Sequence, residues 1–289
     1  MNLIKSIFIS SYMMAIMSIA GYAGWALYRG ENQLAWGGVL LTVAPILTVI
    51  MRAMTLKNLA RTSAHFPLIN LLGVAGAALA GYIWVSTGTE GLVALLATAG
   101  WTTFLLYAYW FSTYDGRDVN AKLAVGATLP EFSVRNTAGA WVSSRSLTDK
   151  PAVFIFYRGN WCPFCMAQIK ELAERYREIG ALGVRIALIA PQPHDNTVAL
   201  AQKFRLEASF EFLTDEDNAA ARKLGIEHPN GLPAGMQMLG YDSDTVMPTV
   251  VITGRNGRIL WAHETDNYRV RPEPDTYLEV LRRHGAVAA

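Results

Sequence analysis

The sequence predicts two regions in one chain: an all-α stretch of four membrane-spanning helices, followed by an α/β domain with a mixed central sheet flanked by helices. Three observations carry this. Through Ser112 the 289-residue chain holds only five of its 25 Lys and Arg and two of its 23 Asp and Glu. Within that stretch, Ser6 to Tyr28, Asn32 to Met51, Thr62 to Thr89 and Gly91 to Tyr114 are free of those charges. Beyond Asp115, apolar runs alternate with amphipathic patterns. The split excludes a uniformly soluble globule, a disordered chain and a strongly basic nucleic-acid binder. Two cysteines, Cys162 and Cys165, exclude a disulfide-stapled scaffold.

Crossing about 30 Å of hydrocarbon takes roughly 20 apolar residues, and each of the four windows is long enough. The first follows a single Lys as a signal peptide does, but it is longer than a usual signal core and three more windows succeed it. Trp25, Trp36, Trp84 and Trp110 fall near window ends, where indoles favour the headgroup zone. Buried helices of a soluble protein would carry charge on an outer face, and these do not. Residues 1–114 are therefore expected to be a four-helix transmembrane anchor, 115–124 a linker and 125–289 the second domain.

With four spans, one side of the membrane carries Lys5, Arg52, Lys57, Arg61, Arg117 and Lys122, and the other carries Arg29. The positive-inside rule then places both termini and the second domain in the cytoplasm, at a bacterial inner membrane. The windows hold no charged residue and no cysteine, so neither ion transport nor a thiol relay across the bilayer is expected. The run Gly73 to Gly81, GVAGAALAG, predicts close helix packing. This half reads as an anchor without chemistry of its own.

In the second half, Pro151 to Tyr157 and Gly183 to Ala190 read as buried strands, each followed by a helix, Pro163 to Leu182 and Val198 to Leu206. Phe210 to Thr214 is a third strand, and Asp217 to Leu224 a short helix. PTVVITGRNGRILWAH gives two strands about an Arg-Asn-Gly turn. Glu273 to Arg283 closes the chain as a helix.

The chemistry sits at FYRGNWCPFC. Cys162 falls at a strand-to-helix turn, where free backbone N–H groups and the helix dipole favour a thiolate. Cys165, one turn in, follows the apolar stripe Ile169, Leu172, Tyr176 and Ile179 and is expected to be shielded. Pro163 suits a first helical position. An exposed thiolate with a second thiol in reach meets the needs of a dithiol-disulfide cycle. A zinc site would need further ligands, and His194, His228 and His263 are scattered. No metal and no cofactor are expected.

Here the chain resembles the thioredoxin superfamily, and more closely its peroxiredoxin-like AhpC/TSA (redoxin) branch, over roughly Val125 to Leu281. VGATLPEFSVRNTAGAWVSSRSL is similar to that branch's opening strand pair. MPTVVI resembles the superfamily's cis-proline segment, which implies that Pro248 packs against the dithiol. The peroxiredoxin pattern Pro-x-x-x-Thr-x-x-Cys, ended on Cys165, puts Gln168 three places on, but Arg158 where Pro belongs and Cys162 where Thr belongs. The resemblance implies Cys162 as attacking thiol and Cys165 as resolving thiol; in a peroxidase cycle Cys165 would be the one oxidised. Trp161 would shield the attacking sulfur. Arg158 reads either as a thiolate-stabilising or partner-binding cation or as a solvated arginine. His228 to Val246 is either a lid or a surface insertion, and Arg269 and Arg271 read as surface charge.

The expected activity is that of a membrane-anchored thiol-disulfide oxidoreductase, with an AhpC/TSA-type thiol peroxidase as the alternative and a tethered redox sensor or copper-binding chaperone as a second. Expected partners are an oxidised thiol protein or hydroperoxide, a reducing thioredoxin-like or small thiol, and the lipid bilayer, with no nucleic acid.

Overall fold

The computed structural model describes residues 2–55, 60–114, 117, 120–206 and 209–285. Lys57, and Asp115, Gly116, Asp118 and Val119 of the expected linker, lie outside the described residues. Four long apolar helices come first: α1 (Asn2–Tyr28), α2 (Gln33–Thr55), α3 (Pro67–Thr87) and α4 (Gly91–Leu105). Each of the four is long and apolar enough to cross a membrane, α4 together with the turn that extends it to Phe111. That turn, Leu106–Phe111, is π-helical, and the Ser112 N–H reaches back to the Tyr107 carbonyl at 3.1 Å. Such widened turns are rare and occur mostly as single turns within α-helices; here Ser112 Oγ also donates to the Tyr107 carbonyl at 2.7 Å.

The small-residue run acts as the sequence predicts. A Cβ at Gly38 of α2 would meet the Gly76 carbonyl of α3 at 2.7 Å, so only glycine allows these backbones to cross so closely. The outward faces stay apolar: Met14, Leu71, Val85 and Leu92 are all exposed. That is consistent with helices that span a membrane.

The α/β half adds β1 (Ser133–Asn136), β2 (Trp141–Ser143), α5 (Ser144–Leu147), β3 (Ala152–Phe156), α6 (Pro163–Glu174), α7 (Tyr176–Ala181), β4 (Arg185–Ala190), α8 (His194–Phe204), β5 (Phe210–Thr214), α9 (Ala219–Leu224), β6 (Glu227–His228), β7 (Thr245–Val246), β8 (Thr249–Thr253), β9 (Ile259–Glu264) and α10 (Pro274–Arg283). Among the described residues the main sheet runs β2-β1-β5-β4-β3-β8-β9, with β3, β4 and β5 parallel and β8 and β9 antiparallel to them. A mixed sheet with helices on both faces is thioredoxin-like. β3 is buried at every position, because its alternate side chains feed two cores. Phe154 and Phe156 pack on the α9 side. Val153 and Ile155 pack under α6 and α10, in a core that continues without a break into Phe104, Tyr107 and Phe111 of the membrane half.

Three expectations change. The helix predicted as Pro163 to Leu182 breaks at Arg175, whose φ of −104° and ψ of 13° leave the helical region, giving α6 and α7; the Tyr176 side chain lies outside the described residues. The helix predicted from Val198 starts four residues earlier, at His194, after Pro193. Pro248 is buried but not cis: every peptide bond of the described residues is trans. The Met247 N–H donates to Ile226 at 2.8 Å and the Pro248 carbonyl accepts from Arg117 at 3.1 Å, so both sides of that bond are tied in its ordinary, lower-energy isomer.

Candidate redox site

Strand β3 delivers the chain to the site, and the turn Arg158 to Trp161 swings it into α6. Gly159, at φ +140°, allows the turn: a Cβ there would meet the Trp161 indole nitrogen at 2.7 Å. Asn160 N–H donates to Gln192 Oε1 at 2.8 Å, fixing the bend to the segment after β4. Cys162 is then the N-cap of α6, with Pro163 at the first helical position as expected. Its carbonyl accepts from Met166 N–H at 3.0 Å, which closes the turn that carries Cys165.

Both thiols are reduced and buried, with Cys162 1% and Cys165 0% exposed. This overturns the expectation of an exposed Cys162 thiolate. The Cys162 side chain makes no capping bond to the helix N–H groups. Burial instead pushes its thiol up, and its hydrogen bond to Cys165 and the charge there push the same way.

The surroundings of Cys165 favour its thiolate. Burial alone would raise it, but the Cys162 hydrogen bond, the Arg271 guanidinium, and the Arg158 N–H and guanidinium together bring it down to about 5. Arg271 Nη2 donates to Cys165 Sγ at 3.4 Å. The same guanidinium donates from Nη1 to Gln168 Oε1 at 2.9 Å and from Nε to the Tyr268 carbonyl at 2.8 Å, and Gln168 donates on to Tyr277 Oη at 2.9 Å. All of these groups are buried, so each bond is held in a fixed direction.

Arg269 and Arg271, expected at the surface, are 0% and 5% exposed. They stand two residues apart and serve opposite regions. Arg271 reaches the sulfur. Arg269 binds the membrane half, donating to Ser112 Oγ at 2.9 Å, Thr62 Oγ1 at 2.8 Å, and the carbonyls of Ser63, Ala64 and Ala108 at 2.9, 3.1 and 3.1 Å. Its guanidinium also lies over the Phe66 ring at 4.2 Å. The only signal in the sequence is the i, i+2 spacing in a proline-bounded segment, and exposed loops show that too.

Arg158 is also buried, over the rings of Trp161 at 4.7 Å and Tyr268 at 5.1 Å, and donates to the Gly231 carbonyl at 2.6 Å. Gly231 belongs to the segment read as lid or insertion. That segment is a strap: Ser6 of α1 donates to the Leu232 carbonyl, Ser10 to the Ala234 carbonyl at 2.8 Å, and Tyr241 Oη to Asn160 Oδ1 at 2.5 Å. Between strap, helices and dithiol lies a cavity of about 400 Å³. Cys162, Pro163, Phe164, Trp161 and Tyr268 line its inner end, and Ile9, Met13, Met14, Ile50 and Met54 of α1 and α2 line the other. Cys165 is not on its wall. The helices expected to have no chemistry thus build half of the approach to the site.

Residues 125–262 match the AhpC/TSA family, so the C-terminal half is an AhpC/TSA, peroxiredoxin-like redox domain, preceded by four apolar helices consistent with a multi-pass membrane anchor. Peroxiredoxin Q of Sedum lineare is 28% identical over 106 residues, 37% of this chain and 56% of that protein. Peroxiredoxin Q of Gentiana triflora is 29% identical over 115 residues, 39% of this chain and 52% of its own. Thiol-disulfide oxidoreductase ResA of Bacillus thuringiensis is 22% identical over 172 residues, 58% and 83% of the two chains. The chain spans about half the length of the peroxiredoxins it matches. Among solved structures, peroxidoxin BcpB of Mycobacterium tuberculosis superposes with a TM-score of 0.46 at 18% identity, over 56% of this chain and 97% of that one. Reduced Prx3 of Vibrio vulnificus with hydrogen peroxide gives 0.47 at 19%, over 55% and 98%. The buried pair Cys162 and Cys165 is consistent with a redox-active site in such a domain, and the family implies a thiol-type redox partner in general.

Proposed function

We propose that the chain is a membrane-anchored thiol-disulfide oxidoreductase that cycles the CPFC pair between dithiol and disulfide, with its redox domain on the cytoplasmic face. The observation that carries this is the Cys165 sulfur, clamped by Arg271 and by the Arg158 N–H, with the Cys162 thiol donating to it. A thiolate hydrogen-bonded to a thiol already has the pairing that oxidation converts to a disulfide. The roles differ from those the resemblance implied. Cys165 is the sulfur kept ionised, and Cys162 is the one the cavity reaches. Pro163 and Trp161 shape the turn, Arg158 fixes its far side, and Gln168 orients Arg271. In the cytoplasm the resting form is the dithiol, which a thioredoxin-like or small thiol partner would restore.

A second reading, reduction of hydroperoxides, is favoured by the chain Gln168–Arg271–Cys165. A thiolate beside a fixed guanidinium suits attack on an O–O bond, because the cation meets the charge that develops on the leaving oxygen. Cys162 then stands where the peroxiredoxin pattern has its threonine, as a weaker hydrogen-bond donor.

Mass spectrometry of the full chain in detergent, after brief dilute oxidant, tests both. A Cys162–Cys165 disulfide is expected in the wild type, and its absence overturns the dithiol cycle. In Cys162→Ser, rapid trapping of sulfenic acid at Cys165 by dilute hydrogen peroxide establishes the peroxidase. Trapping no faster than at an ordinary thiol leaves the oxidoreductase.

A further inference from the structure

We infer that the cavity between the membrane helices and Cys162 is a site for a lipid-soluble quinone, and that this quinone oxidises the dithiol. The inference rests on the dithiol cycle proposed above and names its oxidant.

The cavity has two chemically distinct ends. Around Cys162 the wall is aromatic, with Trp161, Phe164, Tyr268, Tyr107 and Phe111. A planar ring fits such a wall by offset or edge contacts at ring spacing, whereas an unbranched acyl chain gains nothing from aromatic geometry. Toward α1 and α2 the wall changes to Ile9, Ile50 and the thioethers of Met13, Met14 and Met54, flexible groups that accommodate a branched tail. Met14 and Met54 are also exposed on the apolar outer surface of the helices, so this end opens toward lipid. The volume of about 400 Å³ is that of a substituted ring with the start of a tail. At the aromatic end stands one buried cation. Arg158 is 4% exposed and lies over the Trp161 and Tyr268 rings, so its guanidinium places a positive charge at that end of the cavity.

The two thiols fit the reaction. Cys162, the cysteine that lines the cavity, bonds through Sγ to a ring carbon; the ring's electron pair moves onto a carbonyl oxygen, which takes the Cys162 proton. The Cys165 thiolate then attacks Cys162 Sγ. The sulfur–sulfur bond forms, the sulfur–carbon bond breaks, and its electron pair stays on the ring, which takes a second proton from solvent to become the quinol. The dithiol loses two electrons and the quinone gains two. A low-lying Cys165 thiolate that never touches the ligand suits this second step.

The test uses the reduced full-length protein in detergent micelles. The probe is a decyl-substituted benzoquinone, with quinol read by ultraviolet absorbance and the disulfide by mass spectrometry. Diamide, water-soluble and not a quinone, is the reference oxidant. One quinol per disulfide is expected. Ile50→Trp and Met13→Trp, which fill the cavity from two different helices, should each lower the quinone rate about tenfold or more relative to the same variant's diamide rate, as overfilling a packed site does. If diamide forms the disulfide and the quinone does not, or if both tryptophan variants keep the wild-type ratio, the quinone site is overturned while the dithiol cycle stands. Oxidation by an acyl hydroperoxide that outruns the quinone and shows the same sensitivity to both variants gives the cavity to that oxidant instead. If neither oxidant joins the cysteines, the dithiol cycle itself fails.

Discussion

The two halves of the molecule bury their apolar residues in opposite ways. In the α/β half, β3 and β8 are buried throughout, and their large side chains face two interior cores. In the helical half small residues, Gly38, Gly76, Ala80 and Ala97, stand where the helices cross, while the large side chains of Leu71, Val85 and Leu92 face outward. A sheet domain in water is held together by removing apolar area from solvent. Helices in hydrocarbon gain nothing from that and rely on close backbone approach. The difference also locates the polar contacts between the halves. They cluster at the end where Ser6, Thr62 to Ala64, Ala108 and Ser112 meet the redox domain, and Arg269 is their centre.

Arg269→Leu is therefore the largest way to break the comparison. It leaves the hydroxyls of Thr62 and Ser112 and the carbonyls of Ser63, Ala64 and Ala108, all in the helical half, without this donor, at about 1–3 kcal/mol for each one that stays cut off from water. A loss of about 4 kcal/mol is expected, seen as a lower thermal midpoint in detergent and faster proteolysis between residues 115 and 124. An unchanged midpoint would mean that Arg269 does not join the halves.

Much of this was legible because it depends on local periodicity. Four charge-free windows gave four helices, and the succession of strands and helices along the second half followed from apolar runs separated by helical patterns. The Arg255-Asn256-Gly257 hairpin turn followed from its residues, with Asn256 and Gly257 at positive φ. Pro163 at the helix start and the small-residue crossing were equally direct. The placement of the two cysteines at a strand-to-helix turn was legible. What surrounds them was not, because Arg271, which donates to Cys165, lies more than a hundred positions away and beyond the segment that matches the family. The helix dipole argument named Cys162 correctly as the turn residue, but burial outweighs a dipole when a guanidinium serves the neighbouring sulfur. The role of the helices escaped for the same reason: the cavity exists only where two distant stretches of chain meet.

Gly76→Val sharpens the contrast between inward and outward glycines. Any Cβ at Gly76 runs into the Gly38 carbonyl and the Leu41 and Thr42 side chains, so the helices must part, at about 1–3 kcal/mol. Gly21→Ala, with nothing within 4 Å of the added carbon, should stay within about 0.5 kcal/mol, so the two midpoints measured side by side separate packing from general intolerance of substitution. Equal losses would remove the close crossing as a source of stability.

The most local of the expected effects concerns the redox site itself. Arg271→Met removes one charge-assisted bond to Cys165, worth about 1.5–3 kcal/mol, so the thiolate population at a pH below its new midpoint should fall about tenfold to a hundredfold. Thiolate ultraviolet absorbance of the reduced protein, taken against Cys165→Ser, reads this directly. The sign of the stability effect follows from the depressed value. Cys165 titrates near 5 when folded, against an ordinary 9.0, so its contribution is complete above pH 9 and is lost as pH falls to about 5. Wild-type stability relative to Cys165→Ser should therefore climb across that window and be flat below it. Arg271→Met should flatten the climb, and Arg271→Lys should restore part of it, since a point charge keeps the attraction without the second bond to Gln168. If the slope survives in Arg271→Met, the Arg158 N–H and the Cys162 thiol hold the thiolate without Arg271, and the turn alone accounts for the chemistry.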